Sequence, residues 1–357
     1  MVQDIVDEIT DEIADSASLE YVAEGAANVL YASNDPRYTR YLVRLRKRVQ
    51  AQPSTVSVME FMRQSITPLF KKDMVVEMRL VKVGNGVVKQ LNSRLNELDR
   101  SGDRDRKRQG TTLDENEAYG ILVESMTSTS DRPRVRIKGT SSLVTVDPDK
   151  VAVMLEFKPK WLVQSRDAPA NWKYCRTCAL RRMRSSSSEF CPLDLVSGSR
   201  ARVEKSVRCL VPDSIVTLEG VDVLRRVTTE FVLNTKLFAT LASVQTEMDR
   251  TGVFAATIDD RILIAMTARD CTAFLRIATC TPDDMIKRLL EGTTYIEVRG
   301  NTYVRVDTDN YFTVVCRLAD LDIKDRTGTK LAYWQSIERA LNDGGWYTMG
   351  DDNPCRL

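Results

Sequence analysis

Val151-Ala-Val-Met-Leu-Glu156-Phe-Lys158-Pro159-Lys160-Trp161 is the stretch that decides how the chain is read. Its first six residues are apolar, rich in β-branched side chains and of strand length. Side chains alternate at period two along a strand, so Glu156, Lys158 and Lys160 are expected on one face. Pro159 has no N–H for a ladder, so the strand ends there, at a polar site. Downstream stand Cys175-Arg176-Thr-Cys178-Ala-Leu-Arg181-Arg182, serines from Ser185 to Ser188, and Cys191-Pro-Leu-Asp194. So many cations beside a strand end ask for an anionic ligand.

That ligand must be met locally, because 52 Lys and Arg against 50 Asp and Glu leave a net charge of only +2 over 357 residues. Nothing global steers the chain to nucleic acid or membrane. An apolar fraction of 43% and a charged fraction of 29% are those of a globular protein with room for a large core. Its apolar runs fall short of the roughly 18 residues a membrane span requires. The acidic start, with Asp4, Asp7 and Glu8, lacks the basic region of a signal peptide, and an intracellular protein is expected.

Histidine is absent, which excludes Ser-His-Asp and Cys-His catalysis and any histidine-ligated metal. Proton transfer must then use carboxylates, lysines or the substrate itself. Eight cysteines without a signal peptide imply free thiols in a reducing compartment. Cys175-x-x-Cys178 with Cys191 and Cys209 offers four thiolates for zinc, but a zinc knuckle has a second close pair, which Cys191 and Cys209 do not make. Free thiols beside a basic helix are the plainer reading. Cys271, Cys280 and Cys316 read as small apolar residues of buried strands.

Taken in order, Asp4 to Ala14 reads as a short helix, and Leu19 to Ser33 as strand, turn and strand around Glu24-Gly25-Ala26-Ala27-Asn28. Tyr41 to Arg46 alternates as a strand, with Arg44 and Arg46 on one face. Val58 to Leu69 and Val87 to Leu98 follow helical spacing, with a strand between them in Met74 to Val83. Ser101 to Gly110, carrying Arg104, Arg106, Lys107 and Arg108, reads as a solvated connector. Ala118 to Met126 returns to a strand, with a hinge between lobes near Glu124. Ala201 to Cys209 and Val221 to Met248 read as helices, and Arg261 to Met266 and Cys271 to Ile277 as two strands around Arg269-Asp270. A meander over Tyr295 to Leu318 follows, then Asp320-Leu-Asp322-Ile-Lys324, and a closing helix from Lys330 to Asn342 stopped by Gly344-Gly345. Arg176 falls in a loop-prone segment. The order predicts an α+β fold of two lobes, residues 1–126 and 127–357, with a cleft between them.

Small residues that let a backbone approach phosphates, cations at strand ends, and carboxylates at Asp270 and Asp320 are together the parts of phosphoryl transfer from a nucleotide. Neither a Walker motif nor a protein-kinase catalytic loop is present. A non-catalytic binder of polyanions would use the same cations but would gain nothing from the carboxylates. A nucleic-acid module built on Arg104 to Arg108 and Arg181 to Arg184 would interleave aromatics, and few are there.

Glu156-Phe-Lys158-Pro-Lys160 resembles the E-I-K-P-K signature of inositol-pentakisphosphate 2-kinases, and Cys175-Arg-Thr-Cys-Ala with Cys191-Pro-Leu-Asp-Leu-Val-Ser-Gly is similar to their fungal form. Met266-Thr-Ala-Arg-Asp270-Cys-Thr, Ala319-Asp320-Leu-Asp-Ile-Lys324 and Glu24-Gly-Ala-Ala-Asn28 resemble three further family segments, in the family's order. The resemblance implies a two-lobed inositol phosphate kinase fold with an ATP cleft, ATP and Mg²⁺ as cofactors, and an inositol pentakisphosphate substrate. Asp270 would orient or deprotonate the acceptor hydroxyl, Lys158 would reach the transferred phosphoryl group, and Asp320 would hold Mg²⁺. Gly25, Ala26, Ala27, Asn28, Arg44 and Glu124 would face ATP, while Lys160, Arg176 and Lys324 would hold substrate phosphates. Arg108, Asn234, Lys236, Lys330 and Tyr333 fall near further substrate contacts. The resemblance also implies a monomer resident in the nucleus or cytoplasm, and leaves another inositol polyphosphate kinase as the nearest alternative. Five phosphates carry about ten negative charges, at roughly −1.5 to −2 each, which suits a cation cluster in a chain of near-zero net charge. The turn lacks the family's first glycine, with Ala23 in its place, and the histidine-based zinc site of plant members has no counterpart.

Overall fold

Hairpin strands flank the small residues of the N-terminal turn, as the alternation requires: β2 (Leu19–Glu24) pairs with β3 (Asn28–Ser33), with a bulge between Tyr21 and Ala23. The computed structural model describes residues 9–49, 53–126, 135–138, 141–147, 152–186, 188–214, 220–298, 300–324, 326–350 and 355. The chain divides into two units, Met1–Pro68 with Val76–Ser130, and Leu69–Val75 with Asp131–Leu357.

The first unit holds a sheet to which β1 (Glu12–Ile13), β4 (Tyr41–Arg46), β5 (Met78–Val83) and β6 (Tyr119–Glu124) also contribute, in the order β1-β5-β6-β4-β3-β2. All neighbours are antiparallel except β1 and β5. Two helices belong to it, α1 (Thr55–Phe61) and α2 (Val87–Ser101). The 3.6-residue stripe of Val87, Val88, Leu91 and Leu95 buries against Val29, Val43, Leu45, Val81 and Leu122 of the sheet. At Gly120 a Cβ would lie 2.8 Å from Leu45 Cδ2 and 3.3 Å from Arg44 O, so a side chain there would have to displace Leu45 where β6 lies against β4.

The second unit is built on a seven-stranded sheet, antiparallel throughout, of β7 (Val135–Lys138), β8 (Ser142–Asp147), β9 (Ala152–Phe157), β10 (Thr272–Thr279), β11 (Tyr295–Val298), β12 (Asn301–Arg305) and β13 (Tyr311–Ala319). The order is β11-β12-β13-β10-β9-β8-β7. Its helices are α3 (Arg176–Met183), α4 (Arg200–Leu210), α5 (Val221–Asn234), α6 (Leu237–Met248), α7 (Asp260–Asp270), α8 (Asp284–Leu290) and α9 (Thr329–Asp343). Val75 adds a parallel bridge to Leu318 of β13, tying Leu69–Val75 to this unit. The mixed α+β content expected from the sequence is therefore present, with two sheets and nine α-helices among the described residues.

Four local expectations are corrected. Arg261 to Met266 is helical: it lies within α7, whose first turn is capped by the Asp259 side chain accepting from Ile262 N at 2.9 Å. Ile262 through Arg269 are all buried, so no polar face marks the helical period, and the apolar run imitates a strand. The expected helix over Asp4 to Ala14 lies partly outside the described residues, and its described end forms β1. Val221 to Met248 breaks into two helices at Thr235 and Lys236. The Ser101 to Gly110 segment is no mere solvated connector, because Arg104 is 2% exposed.

Arg104 Nε donates to Glu24 Oε1 at 2.5 Å, and Lys47, whose side chain is fully buried, pairs with the other Glu24 oxygen. Burial pushes the Glu24 carboxyl up, and its hydrogen bonds from Arg104 and Lys47 outweigh this and hold it below the usual carboxylate range. Lys47 Nζ also donates to the Gly25 carbonyl at 3.0 Å, so the pair fixes one end of the Gly25–Asn28 turn. Removing the shared partner of a buried ionic group leaves uncompensated charge. Glu24→Ala is therefore expected to destabilise the protein by about 3–5 kcal/mol in urea denaturation. Arg106→Ala, in the same loop but exposed, should stay within about 0.5 kcal/mol of the parent.

Candidate active site

Antiparallel register brings three segments of the second unit to one end of its sheet. Thr272 faces Ala319 across β10 and β13, and Ala273 faces Phe157 across β10 and β9. Asp270, ending α7 just before β10, therefore meets Lys158 just after β9 and Asp320 just after β13. Lys160 Nζ and Lys324 Nζ each lie 3.4 Å from an Asp270 carboxylate oxygen, and Lys158 Nζ lies 3.8 Å away. Lys158 Nζ also donates to the Asp270 carbonyl at 2.7 Å and lies 4.0 Å from the Asp320 carboxylate. A cation on the last carbonyl of a helix satisfies an orphan acceptor at the negative end of the dipole.

Burial pushes the Asp270 carboxyl up, but the ammonium groups of Lys324, Lys158, Lys160 and Lys330 outweigh it and hold the group below the usual carboxylate range. Burial also holds Lys160 below the ordinary lysine range, against the pull of Asp270 and with the push of Lys158. The site thus keeps one ionised, acceptor-only carboxylate inside a ring of donors.

Lys160 and Asp320 have φ of 62° and 56°, in the left-handed region that non-glycine residues rarely occupy. Such strain persists where surrounding contacts over-determine it, and it clusters at functional sites. Gln245 supplies those contacts for Lys160. Fully buried on α6, it donates to Lys160 O (2.8 Å) and Ala268 O (3.1 Å) and accepts from Leu162 N (2.9 Å). Thr272 Oγ1 donates to Asp320 Oδ2 at 2.5 Å, and Thr267 Oγ1 to Asp322 O at 2.9 Å. Lys158 and Lys160 do reach the same carboxylate, but Lys160 gets there through its left-handed bend and not by continuing the strand face.

Behind the site, Arg176 is the first residue of α3 and is buried, correcting its expected loop position. Its guanidinium stacks 4.2 Å from the centroid of Trp161, and its Nε donates to Glu338 at 2.7 Å. Arg269 covers the same indole at 3.8 Å and pairs with Asp249. Arg176 is thus built into the wall behind the amines. At the rim, the exposed Tyr333 of α9 accepts from Arg184 at 2.9 Å, with Lys330 Nζ 5.9 Å from its ring. Asn234 and Lys236 sit exposed where α5 gives way to α6, with Asn234 donating to Glu230 O.

In the first unit, the Gly25–Asn28 turn is closed by Gly25 N donating to Asn28 O (2.9 Å) and Lys47 N to Ala27 O (2.8 Å). Arg44 lies on β4 opposite Leu30 and Ile121, and Glu124 ends β6 and accepts from Glu77 N at 3.3 Å. Arg108 is half-buried in the loop after α2.

The inositol-pentakisphosphate 2-kinase family profile matches residues 21–340, which include all five of the segments just described. The chain belongs to the inositol-pentakisphosphate 2-kinase family. It is 26% identical over 337 residues to the inositol-pentakisphosphate 2-kinase of Yarrowia lipolytica (strain CLIB 122 / E 150), an alignment spanning 93% of each chain. It is also 26% identical over 212 residues to the protein of that name from Debaryomyces hansenii, across 49% of this chain and 51% of that one.

For this inositol-pentakisphosphate 2-kinase family member, sequence reading missed Gln245, Arg269, Trp161 and Arg184. A glutamine in an amphipathic helix carries no local sign that its amide will be buried; Trp161, Arg269 and Arg184 stood in or beside the quoted motifs, without a sign of what they would touch. Cys209 does not join Cys175, Cys178 and Cys191: its thiol lies against Lys205 O, and Cys355 takes the fourth place.

Two outcomes follow from the geometry. Gln245→Leu keeps the volume but strands two carbonyls and an amide, and is expected to cost about 1–3 kcal/mol, read by thermal or urea unfolding. Because the folded-state pKa of Asp270 is depressed, its ion pairs contribute stability above the unfolded value of about 3.9, lost as pH falls through the lower folded value. The stability gap between the parent and Asp270→Asn should therefore hold from neutral pH down to about pH 4 and close below it. A gap that closed near neutrality would contradict a depressed pKa.

Proposed function

We propose that the chain transfers the γ-phosphoryl group of ATP to the 2-hydroxyl of inositol 1,3,4,5,6-pentakisphosphate, giving inositol hexakisphosphate. One observation carries this reading: Asp270 is held ionised 3.4–3.8 Å from three ammonium groups, beside the exposed carboxylate of Asp320. A site that only bound polyanions would be weakened by carboxylates among its cations. A phosphotransferase needs them, one to orient or deprotonate the hydroxyl and one for a cation. The family membership and the names of the two fungal relatives point to the same reaction.

In this proposal Asp270 accepts the hydroxyl proton, and Lys158, between the two aspartates, meets the transferred phosphoryl group. Lys160 and Lys324 hold substrate phosphates, with Lys330, Tyr333 and Arg108 as further contacts. Arg176 acts from behind Trp161. Gly25, Ala26, Ala27, Asn28, Arg44 and Glu124 face ATP on a nucleotide lobe of residues 1–126, and residues 127–357 form the substrate lobe. Asp320 suits Mg²⁺, since its carboxylate is 61% exposed and hard oxygen donors of this kind bind that ion together with substrate phosphates. When bound, the ion would neutralise charge on the phosphates. Monomeric state and residence in the nucleus or cytoplasm belong to the proposal as well. Among the described residues no helix is long and apolar enough to cross a membrane.

Incubating the protein with ATP, Mg²⁺ and inositol 1,3,4,5,6-pentakisphosphate should yield the hexakisphosphate by anion-exchange chromatography. Asp270→Asn should lose about a hundredfold or more in kcat while still binding substrate. Tight binding by both proteins with turnover by neither would leave the non-catalytic binder in its place. Turnover of a different inositol polyphosphate in preference would assign another kinase of the same chemistry.

A further inference from the structure

Two hydroxyls flank Asp270 in sequence, and both reach across to the segment that carries Asp320. Thr267 lies three residues before Asp270 on α7 and is fully buried. A helical threonine can turn its hydroxyl back to the carbonyl one turn earlier. Thr267 instead donates to Asp322 O at 2.9 Å, 55 residues away in the chain. Thr272 opens β10, is 2% exposed and donates from Oγ1 to Asp320 Oδ2 at 2.5 Å. Strand register sets that contact: Thr272 faces Ala319, the last residue of β13, so its hydroxyl meets the bend that follows at Asp320.

Asp320 needs such a hold. Its backbone bends into the left-handed region with φ of 56°, and its side chain is 61% exposed. An exposed carboxylate on a short stem is otherwise free to turn, and that freedom is lost at a cost when the group takes a ligand. Lys158 Nζ lies 4.0 Å from Oδ2, the same oxygen that accepts from Thr272. Both protein contacts thus fall on Oδ2, which leaves Oδ1 for a cation. Leu321, 2% exposed, anchors the chain just beyond, and Lys324 closes the segment on Asp270 Oδ2 at 3.4 Å. Thr272 is β-branched and lies in a regular strand, so its hydroxyl has few positions open to it.

We propose that Thr272 is a positioning residue that fixes Asp320 for a divalent cation, with Thr267 holding the chain behind it. Mg²⁺ is held by one or two carboxylates together with substrate phosphates, so the direction of a single protein oxygen matters for it. Carboxylates that ligate metals are themselves hydrogen-bonded, and removing such an outer partner lowers metal affinity by about 10–100-fold. The role of Thr272 is orientation, and it involves no bond made or broken. Because both threonines lie within three residues of Asp270, the same clasp sets the spacing of the Asp270 and Asp320 carboxylates. The inference rests on the phosphotransfer reading, since that reaction is what calls for the cation.

Mn²⁺ serves as the probe, titrated into the full chain with a non-hydrolysable ATP analogue and followed by electron paramagnetic resonance. Thr272→Val, which keeps the side-chain shape and removes the hydroxyl, is expected to weaken Mn²⁺ binding by about 10–100-fold. Thr272→Ser should restore most of it, and Thr313→Val, which removes a hydroxyl from β13 that donates to Ala278 O, should match the parent. In turnover, Thr272→Val should need about 10–100-fold more Mg²⁺ for half-maximal rate, with kcat recovering at saturating Mg²⁺ and KM for the inositol phosphate unchanged. Mn²⁺ affinity equal to the parent's would overturn the proposal, as would a lowered melting temperature as the sole change. Thr272→Ala carries the same test if Thr272→Val does not fold, with the same loss expected and the same result against it. A parent protein that neither binds Mn²⁺ beside the analogue nor turns over substrate would instead sink the phosphotransfer reading, and this inference with it.

Discussion

In an antiparallel sheet, the residue at which one strand begins decides which neighbouring strand ends it meets. Thr272 facing Ala319, and Ala273 facing Phe157, place a helix end and two strand exits at one end of the second sheet. Shifting that register by one residue would turn every side chain of β10 to the other face and part Asp270 from Lys158. The bends at Lys160 and Asp320 depend on this meeting, since Gln245 and Thr272 reach them only from elements that the sheet has already fixed.

Two ionic assemblies in this protein share a composition and differ in exposure. Around Glu24, the side chains of Lys47 and Arg104 are fully buried, so the charges close on one another and hold a turn. Around Asp270, the side chains of Lys158 and Lys160 are 40% and 36% exposed, and several cations share one carboxylate. The first assembly has no use for a further ligand. The second keeps an excess of positive charge facing solvent, where an anion with many phosphates gains most from it.

Much of the architecture was legible in the sequence. Alternation at Leu19 to Ser33, Tyr41 to Arg46 and Tyr295 to Leu318, and helical stripes at Val87 to Leu98 and Lys330 to Asn342, lie in elements with one solvent face, where the period survives. It failed at Arg261 to Met266, where every side chain is buried and the apolar run has no period, although Asp259 marked the cap. The charged loop misled for the opposite reason: Arg104 looks like its neighbours, and what sets it apart is its contacts, with Glu24, 80 residues earlier in the chain, and with Asp99 and Thr111.

By itself the sequence determined the kinds of group present: no histidine, lysines and aspartates at strand ends, and a C-x-x-C pair. These are chemical identities, and they travel with the motif wherever the chain goes. Which groups meet was decided by the tertiary structure alone. Lys324 reaching Asp270, Gln245 holding Lys160, and Cys355 standing where Cys209 was expected are contacts between residues far apart in the chain. Local periodicity carries no information about such distances, because they arise from strand register and from burial that the whole core imposes at once.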